Sequence, residues 1–249
     1  MSVLAEPRQQ AILEILNTGG QAVVSELARR FAVSDMTIRR DLVSLAEKGL
    51  AVRVHGGAVA ADKSRFSNRL SANSRAKAKA IAKLVPYIPV SGCIYLDGST
   101  TMLGLVKHLK GRTSLQVATN NVETFNRLAS LPGPVPLLLG GSLDTRTDNL
   151  IGPLALRSIA ALVFDAVFFS AWGLHEDAGL NELTIEDAEV KERIAKRSRL
   201  VYAAIDHSKL GVTACALWRH GDAKSVLATD LDSGDRRLAP FAGMFGKII

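Results

Sequence analysis

The sequence predicts an α/β chain in two parts: a small helical module closed by a short β hairpin, then a larger open sheet with helices on both faces. Three observations predict it. A helix-capping serine opens the arginine-bearing run Ser34-Asp35-Met36-Thr37-Ile38-Arg39-Arg40-Asp41-Leu42, and the basic, glycine-containing Arg53-Val54-His55-Gly56-Gly57-Ala58 follows it. Past residue 75, brief apolar runs alternate with amphipathic stretches of helical length. The chain has 249 residues, far more than the small module needs, so enough remains to bury a second core.

Within the module, Ile12, Leu13, Ile15 and Leu16 after Pro7 predict a first amphipathic helix, and Ser25 precedes a second in which Leu27 and Phe31 lie one turn apart. Ala32-Val33-Ser34 leaves room only for a tight corner, as a helix-turn-helix requires. In the third helix Ile38, Leu42 and Leu45 share one face while Met36, Thr37, Arg40 and Ser44 project from the other. Gly49, tolerant of the left-handed conformation, should end it, and Arg53 to Ala58 then reads as a wing. Two arginines on a helix are by themselves only a solvated face; the spacing of the whole unit is what points to double-stranded DNA. Met36, Thr37 and Arg40 are expected at base edges, and Ser34, Arg39, Arg53 and His55 on the backbone. Isolated beside Arg53, His55 reads as a phosphate or minor-groove contact rather than a metal ligand. The formal net charge of +7 suits an anionic partner. So does the run Lys63, Arg65, Arg69, Arg75, Lys77, Lys79 and Lys83, which reads equally well as extra phosphate contacts or as a solvated linker and helix face.

Residues 1–58 are therefore taken as the winged helix-turn-helix domain, 59–74 as a polar linker, and 75–249 as the larger domain. In the last, Cys93 to Leu96, Leu115 to Ala118, Val135 to Leu139, Ala166 to Ser170, Leu200 to Ile205 and Ser225 to Ala228 read as buried strands. Helices are expected near 75–86, 100–110, 121–130, 154–163 and 185–198, the first of them cut short by Pro86. Alternation implies a mostly parallel, Rossmann-like sheet that collects ligands at the carboxyl ends of its strands. Those ends carry Asp97, Gly98, Ser99, Thr100 and Thr101, then Thr119 and Asn120, then Gly140 and Gly141, then Asp206 with Ser208 and Lys209. Taken singly, each is an ordinary cap or turn residue; four such sets on one edge favour a binding cleft, and Asp97 to Thr101 before a helix suits a phosphate.

Cys93 and Cys215 lie in apolar runs without metal-like spacing and are expected to be buried thiols. No cofactor or metal is expected. The amino terminus lacks a signal-peptide pattern and no apolar run approaches a membrane span, so the expectation is a cytoplasmic protein with no membrane partner. Residues 233–249, with Arg236-Arg237 and Phe241, Met244 and Phe245, fit either a packed tail or an assembly contact.

Ser34 to Leu42 taken with Arg53 to Ala58 resembles the amino-terminal signature of the DeoR family of bacterial transcriptional regulators: Ser, two variable residues, Thr-Ile-Arg-Arg-Asp-Leu, then Arg-x-His-Gly-Gly-Ala. Leu96 to Thr101, Thr119-Asn120, Gly140-Gly141, Gly152-Pro153, Lys191 and Asp206-x-Ser208-Lys209 resemble the motif series of that family's effector domain, which is similar in fold to ribose-5-phosphate isomerase and the coenzyme A transferases. The resemblance runs from residue 6 to residue 231. It implies a repressor of a carbohydrate catabolic operon, controlled by a phosphorylated sugar or related metabolite. Asp97, Gly98, Ser99, Thr100 and Thr101 would hold phosphate or sugar hydroxyls, Thr119 and Asn120 would line the wall, and Lys191 and Lys209 would pair with the anion. Trp172 stands where relatives carry a smaller residue, which implies a ligand differing in size or identity. Since one half-site reader has little affinity, a homodimer or homotetramer is expected. The rival reading is a sugar-phosphate isomerase or coenzyme A transferase-like enzyme using Asp97, Lys191, Asp206 or one of Glu182, Glu186 and Glu189. An isomerase has no need of the winged unit, and no nucleophile–base pair is legible.

Overall fold

A computed structural model describes residues 5–19, 21–54, 56–60, 66–218 and 224–249. The chain folds as two compact units, Met1–Ser74 and Arg75–Ile249.

The smaller unit runs α1 (Ala5–Gly19), β1 (Gln21–Val23), α2 (Val24–Phe31), α3 (Asp35–Glu47), β2 (Ala51–Val54), β3 (Gly57–Ala60) and α4 (Phe66–Leu70). Its core is the set the helical periodicity selects: Ile12, Leu16, Leu27, Ile38, Leu42 and Leu45, with Ala58 of the wing beneath them. The corner between α2 and α3 turns on Ala32 in the left-handed conformation (φ 52°), and Ser34 caps α3 by accepting from the Thr37 N–H at 3.2 Å. Gly49 (φ 68°) ends α3; a Cβ there would lie 2.5 Å from that of Ala72, so both backbone angle and space demand glycine. Helix α2 starts one residue before Ser25, on Val23, which offers no side-chain cap. The wing hairpin β2–β3 gains a third strand, β1, in the order β1-β3-β2. Gly57 makes this approach feasible, because a Cβ there would sit 2.2 Å from the Ala22 carbonyl oxygen. The span read as linker is partly structured: β3 reaches Ala60, and Phe66 and Ala72 are buried.

The larger unit runs α5 (Ser74–Leu84), β4 (Gly92–Leu96), β5 (Leu115–Thr119), α6 (Val122–Ala129), β6 (Val135–Leu138), β7 (Ser142–Asp144), β8 (Asn149–Ile151), α7 (Pro153–Ala160), β9 (Ala166–Phe169), β10 (Gly173–His175), β11 (Gly179–Glu182), α8 (Ile185–Ala195), β12 (Val201–Ala204), β13 (Ala216–Leu217), β14 (Ser225–Ala228) and β15 (Lys247–Ile248). Pro86 stops α5 at Leu84, followed by a single 3-10 turn, and the helix expected near 100–110 is a 3-10 helix over Met102–Leu109. Seven strands form one all-parallel sheet in the order β15-β14-β12-β9-β4-β5-β6. Numbered by its own strands, the first six follow the doubly wound order 3-2-1-4-5-6, with β15 as a seventh. The sequence reading missed β15: the last residues form a packed tail in which Leu238, Phe241 and Phe245 are buried and β15 pairs with β14. At the other edge, Leu139 donates inward to Thr119, so alternation turns position 136 outward; proline there has no N–H to offer a further strand.

Two smaller elements, unseen in the sequence, sit beside this sheet. One is the antiparallel set β10-β11-β13, the other the hairpin β7–β8. Tyr95, Phe164, Val167, Phe169, Ile194 and Trp218 belong to the core cluster that covers one face.

Candidate functional site

The outer face of α3 presents Met36, 59% exposed, with Arg39 and Arg40 also exposed; Arg53 of β2 is exposed as well. The Ser34 hydroxyl is taken up in capping and lies 2.9 Å from the Thr37 hydroxyl, so these two polar groups hold each other, with Thr37 half-buried. His55 lies outside the described residues. The Asp41 that follows the two arginines turns the opposite way. It is 4% exposed and accepts from Arg8 Nε at 2.5 Å and Gln9 Nε2 at 3.1 Å, both on α1. That hydrogen bond holds the Arg8 guanidinium above its ordinary pKa, although partial burial works the other way. The motif therefore points two cations outward and one anion inward, and the anion locks the presenting helix to its support.

In the larger unit the strand order reverses between β4 and β9, and Asp97 and Ser170 end those two strands. A ligand crevice of a doubly wound sheet opens at this reversal. Asp97 Oδ2 accepts the Ser170 N–H at 3.0 Å, tying the two ends together. Lys191, from α8, reaches the same place: its Nζ donates to the Ser170 carbonyl at 2.7 Å and lies 3.4 Å from Asp97 Oδ2. It also meets Glu182 Oε1 at 2.5 Å. Burial works against the Lys191 charge, but Asp97 and Glu182 outweigh it and hold the ammonium above its ordinary pKa. Glu182 is itself pushed up by burial against the pull of Lys191. On the other side of Ser170, Lys209 Nζ donates to the Ser170 hydroxyl at 3.0 Å and to the Ala171 carbonyl at 2.6 Å. Asp206 positions that loop, accepting from the Ser208 N–H at 3.1 Å, while its buried Oδ2 has no hydrogen-bond partner among the described residues.

Around this cluster, Asn120 Oδ1 accepts from the buried Tyr95 hydroxyl at 2.7 Å, and the Thr119 hydroxyl accepts from the Asn121 N–H at 3.2 Å. Burial, with Asp97, Asp187 and Glu182 near, pushes the Tyr95 phenol well above its ordinary pKa, so it acts as a donor. Gly98 packs so closely that a Cβ would fall 1.9 Å from Asn149 Oδ1. Asn149 in turn accepts from Asn121 Nδ2 at 3.0 Å and donates to Asp187 at 3.1 Å. Ser99 and Thr100 are 8% exposed and Thr101 is 1% exposed. The exposed Gly140 donates to the Ser158 hydroxyl at 3.3 Å, and Gly141 backs onto Ile151; this pair belongs with the β7–β8 side rather than with the cluster at Ser170.

Asp97, Lys191 and Lys209 are thus brought together, with Thr119 and Asn120 on the next strand end. Sequence reasoning missed Asn121, Asn149 and Asp187, whose only signal was a second Asn after Asn120, and it did not foresee Glu182 as the partner of Lys191. It also misjudged part of the basic run. Lys77 is buried with its Nζ 3.0 Å from the Thr100 hydroxyl, and Lys83 donates to the Leu231 carbonyl at 2.7 Å, so neither is a free phosphate contact; Lys63 and Arg65 lie outside the described residues. Cys93 is half-buried and Cys215 exposed, against the expectation of two buried thiols: β13 is an edge strand and leaves its neighbour in solvent. Trp172 is half-buried, and its main-chain N–H donates to the Asn181 carbonyl at 2.9 Å. Among the described residues no helix is long and apolar enough to cross a membrane.

Two family models match the chain: the DeoR-like helix-turn-helix domain over residues 8–64 and the DeoR C terminal sensor domain over residues 72–231. The HTH-type transcriptional regulator GolR of Listeria innocua is 33% identical over 90% of this chain and 89% of its own length. The glycerol-3-phosphate regulon repressor of Escherichia coli is 31% identical over 83% of each chain. An uncharacterized HTH-type transcriptional regulator of Bacillus subtilis, FruR, is 30% identical over 92% of this chain and 93% of its own. Among solved structures, ribose 5-phosphate isomerase A from Methanocaldococcus jannaschii aligns over 55% of each chain at 14% identity with a TM-score of 0.40, a partial likeness.

Proposed function

The chain belongs to the DeoR family of transcriptional regulators, and on that premise we propose that it represses a carbohydrate catabolic operon until a phosphorylated sugar or related polyol phosphate binds at the switch point of its larger sheet. It is a regulator and not an enzyme, as its relatives are named. Residues 1–58 are the DNA-binding part and 75–249 the sensing part.

At the operator, Met36, Thr37 and Arg40 approach base edges, with Arg40 able to grip a guanine through two parallel hydrogen bonds. Ser34, Arg39, Arg53 and His55 hold phosphates, which fixes register without reading sequence. Two such modules on a homodimer, or four on a homotetramer, reach the half-sites a single reader would hold too weakly. The protein works in the cytoplasm, where both operator and metabolite are found.

One observation carries the sensing role: Asp97, Glu182, Lys191 and Lys209 meet around Ser170 where the strand order reverses. A polyol needs such a mixture of fixed acceptors and donors, and Gly98, Ser99, Thr100 and Thr101 adjoin it with backbone N–H groups for an anion. Thr119 and Asn120 form the neighbouring wall and Asp206 holds the Lys209 loop, while Gly140 and Gly141 stay on the β7–β8 side. A relative named as a glycerol-3-phosphate regulon repressor supports the choice of a small phosphorylated effector. The test is DNA binding by the full chain to an operator selected from random duplexes, titrated with phosphorylated sugars and polyols and with their unphosphorylated parents. Release by a phosphorylated compound alone is expected. Indifference to the whole panel would sink the sensing role and leave a regulator of another input.

A further inference from the structure

We propose that Met36 reads the methyl group of a thymine in the operator, within about two base pairs of the guanine held by Arg40. The inference deepens the DNA-binding role above and rests on it. Met36 lies in the first turn of α3, and at 59% it is the most exposed large apolar side chain among the described residues of the smaller unit, against 40% for Val23 and Leu70. One exposed apolar side chain means little by itself. Its position decides. At about 100° per residue, Met36 and Arg40 stand one turn apart on the line opposite the core residues Ile38, Leu42 and Leu45, while Arg39 falls to one flank and Thr37 to the other. The hydroxyls on either side of Met36 in sequence are turned on each other, Ser34 Oγ lying 2.9 Å from Thr37 Oγ1 and accepting the Thr37 N–H at 3.2 Å. The middle of the presenting face therefore belongs to one thioether and one guanidinium.

The two side chains recognise different things. A guanidinium forks onto the paired acceptors of guanine, whereas a thioether chain has no donor and only a weak acceptor, so it discriminates by apolar contact. The apolar group that a major groove presents is the thymine methyl. A recognition helix enters that groove by its amino-terminal residues, which is where Met36 stands. Its three rotatable bonds let the side chain settle on the methyl without moving the helix. Four residues of α-helix span about 6 Å and base pairs stack about 3.4 Å apart, so the Met36 and Arg40 contacts fall within about two base pairs of each other. Arg40 then fixes a guanine and Met36 fixes its neighbourhood, so the half-site is read as a thymine and a guanine at a set spacing.

The test uses the full chain and a duplex it selects from a random pool, with fluorescence anisotropy as readout. Each thymine of the selected half-site is replaced in turn by deoxyuridine, which removes the methyl alone, and each guanine by 7-deazaguanine, which removes one of the two acceptors offered to Arg40. At one thymine the deoxyuridine change should weaken the unaltered chain about fourfold, the worth of one buried methyl, and Met36→Ala by less than about 1.5-fold. Met36→Leu, apolar and of similar size, should keep a loss of about threefold at that thymine. The guanine whose 7-deaza form costs nothing in Arg40→Ala should lie within about two base pairs of it. Indifference of the unaltered chain to every deoxyuridine, a deoxyuridine loss equal in the unaltered chain and Met36→Ala, or a coupled thymine with no Arg40-dependent guanine within about two base pairs overturns the inference and leaves α3 as the base reader. Equal weakening of Met36→Ala on selected, deoxyuridine and scrambled duplexes also overturns it, since Met36 would then serve the fold or the backbone. If neither Arg40→Ala nor Met36→Ala alters the preference for selected over scrambled DNA, base reading by α3 falls with it.

Discussion

Replacing Asp41 by alanine should weaken DNA binding although its carboxylate is buried against α1. The carboxylate is buried in α3 and answers two donors of α1, Arg8 Nε and Gln9 Nε2. A hydrogen bond to a charged group contributes about 1.5–3 kcal/mol net, and truncating one partner of a fully buried pair costs about 3–5 kcal/mol. The Arg8 side chain is 16% exposed against 5% for Asp41, so the stranded guanidinium regains some water and the loss falls near the lower figure, about 2–3 kcal/mol. That raises the unfolded fraction of the smaller unit roughly 30- to 150-fold. Fluorescence is blind to it, because both tryptophans, Trp172 and Trp218, lie in the larger unit. Hydrogen exchange of the α3 amides reports it directly, with fluorescence anisotropy for DNA. The expected result is faster exchange in α3 and a parallel loss of affinity on selected and scrambled duplexes. Unchanged protection with lost DNA binding would refute the reasoning, since Asp41 would then act at the duplex itself; Asp41→Asn, which keeps an acceptor, should lose less.

Arg40→Ala should cost about 1–3 kcal/mol on the selected operator and much less on scrambled DNA, and equal losses on both in an anisotropy titration would reduce Arg40 to a phosphate contact. Gly57→Ala drives a methyl into the Ala22 carbonyl and should detach β1 from the wing; slow amide exchange retained at Ala22 and Val59 would contradict this. Burial alone would lift the Asp230 carboxyl, but the hydrogen bonds from His207 prevail and keep it below the ordinary carboxylate range. A depressed carboxyl stabilises the fold above its unfolded pKa, and that contribution disappears as pH falls through the folded value. His207→Ala, which removes the ring but keeps the main-chain donor, should therefore move the Asp230 carbon titration upward, and an unmoved midpoint would show that the His207 ring is not the cause.

Much of the smaller unit was legible because its signals are local. Ser34 caps, Gly49 terminates, and Ile38, Leu42 and Leu45 recur at helical spacing, each decided within a turn of its own position. What escaped was pairing between segments far apart in sequence. The β1 strand follows α1 directly and shows itself only by joining β3; β13 and β15 have two residues each, too short for any periodicity. The same holds at the switch point. Asp97 was singled out by the turn it opens, but its bond to Ser170 spans 73 positions, and the buried destination of Lys77 lay hidden in a run of cations that reads as a solvated face.

Side-chain order alone determined that this chain carries a cation-bearing helix and wing followed by an alternating α/β domain, because caps, glycine conformations and hydrophobic periods act over a few residues. Only tertiary packing decided that Asp41 turns inward, that β15 closes one edge of the sheet while Pro136 blunts the other, and that Lys191 is met by Asp97 and Glu182. Those outcomes follow from which buried charge finds which partner once strands are laid side by side, and burial makes an unanswered charge too costly for any other arrangement to compete.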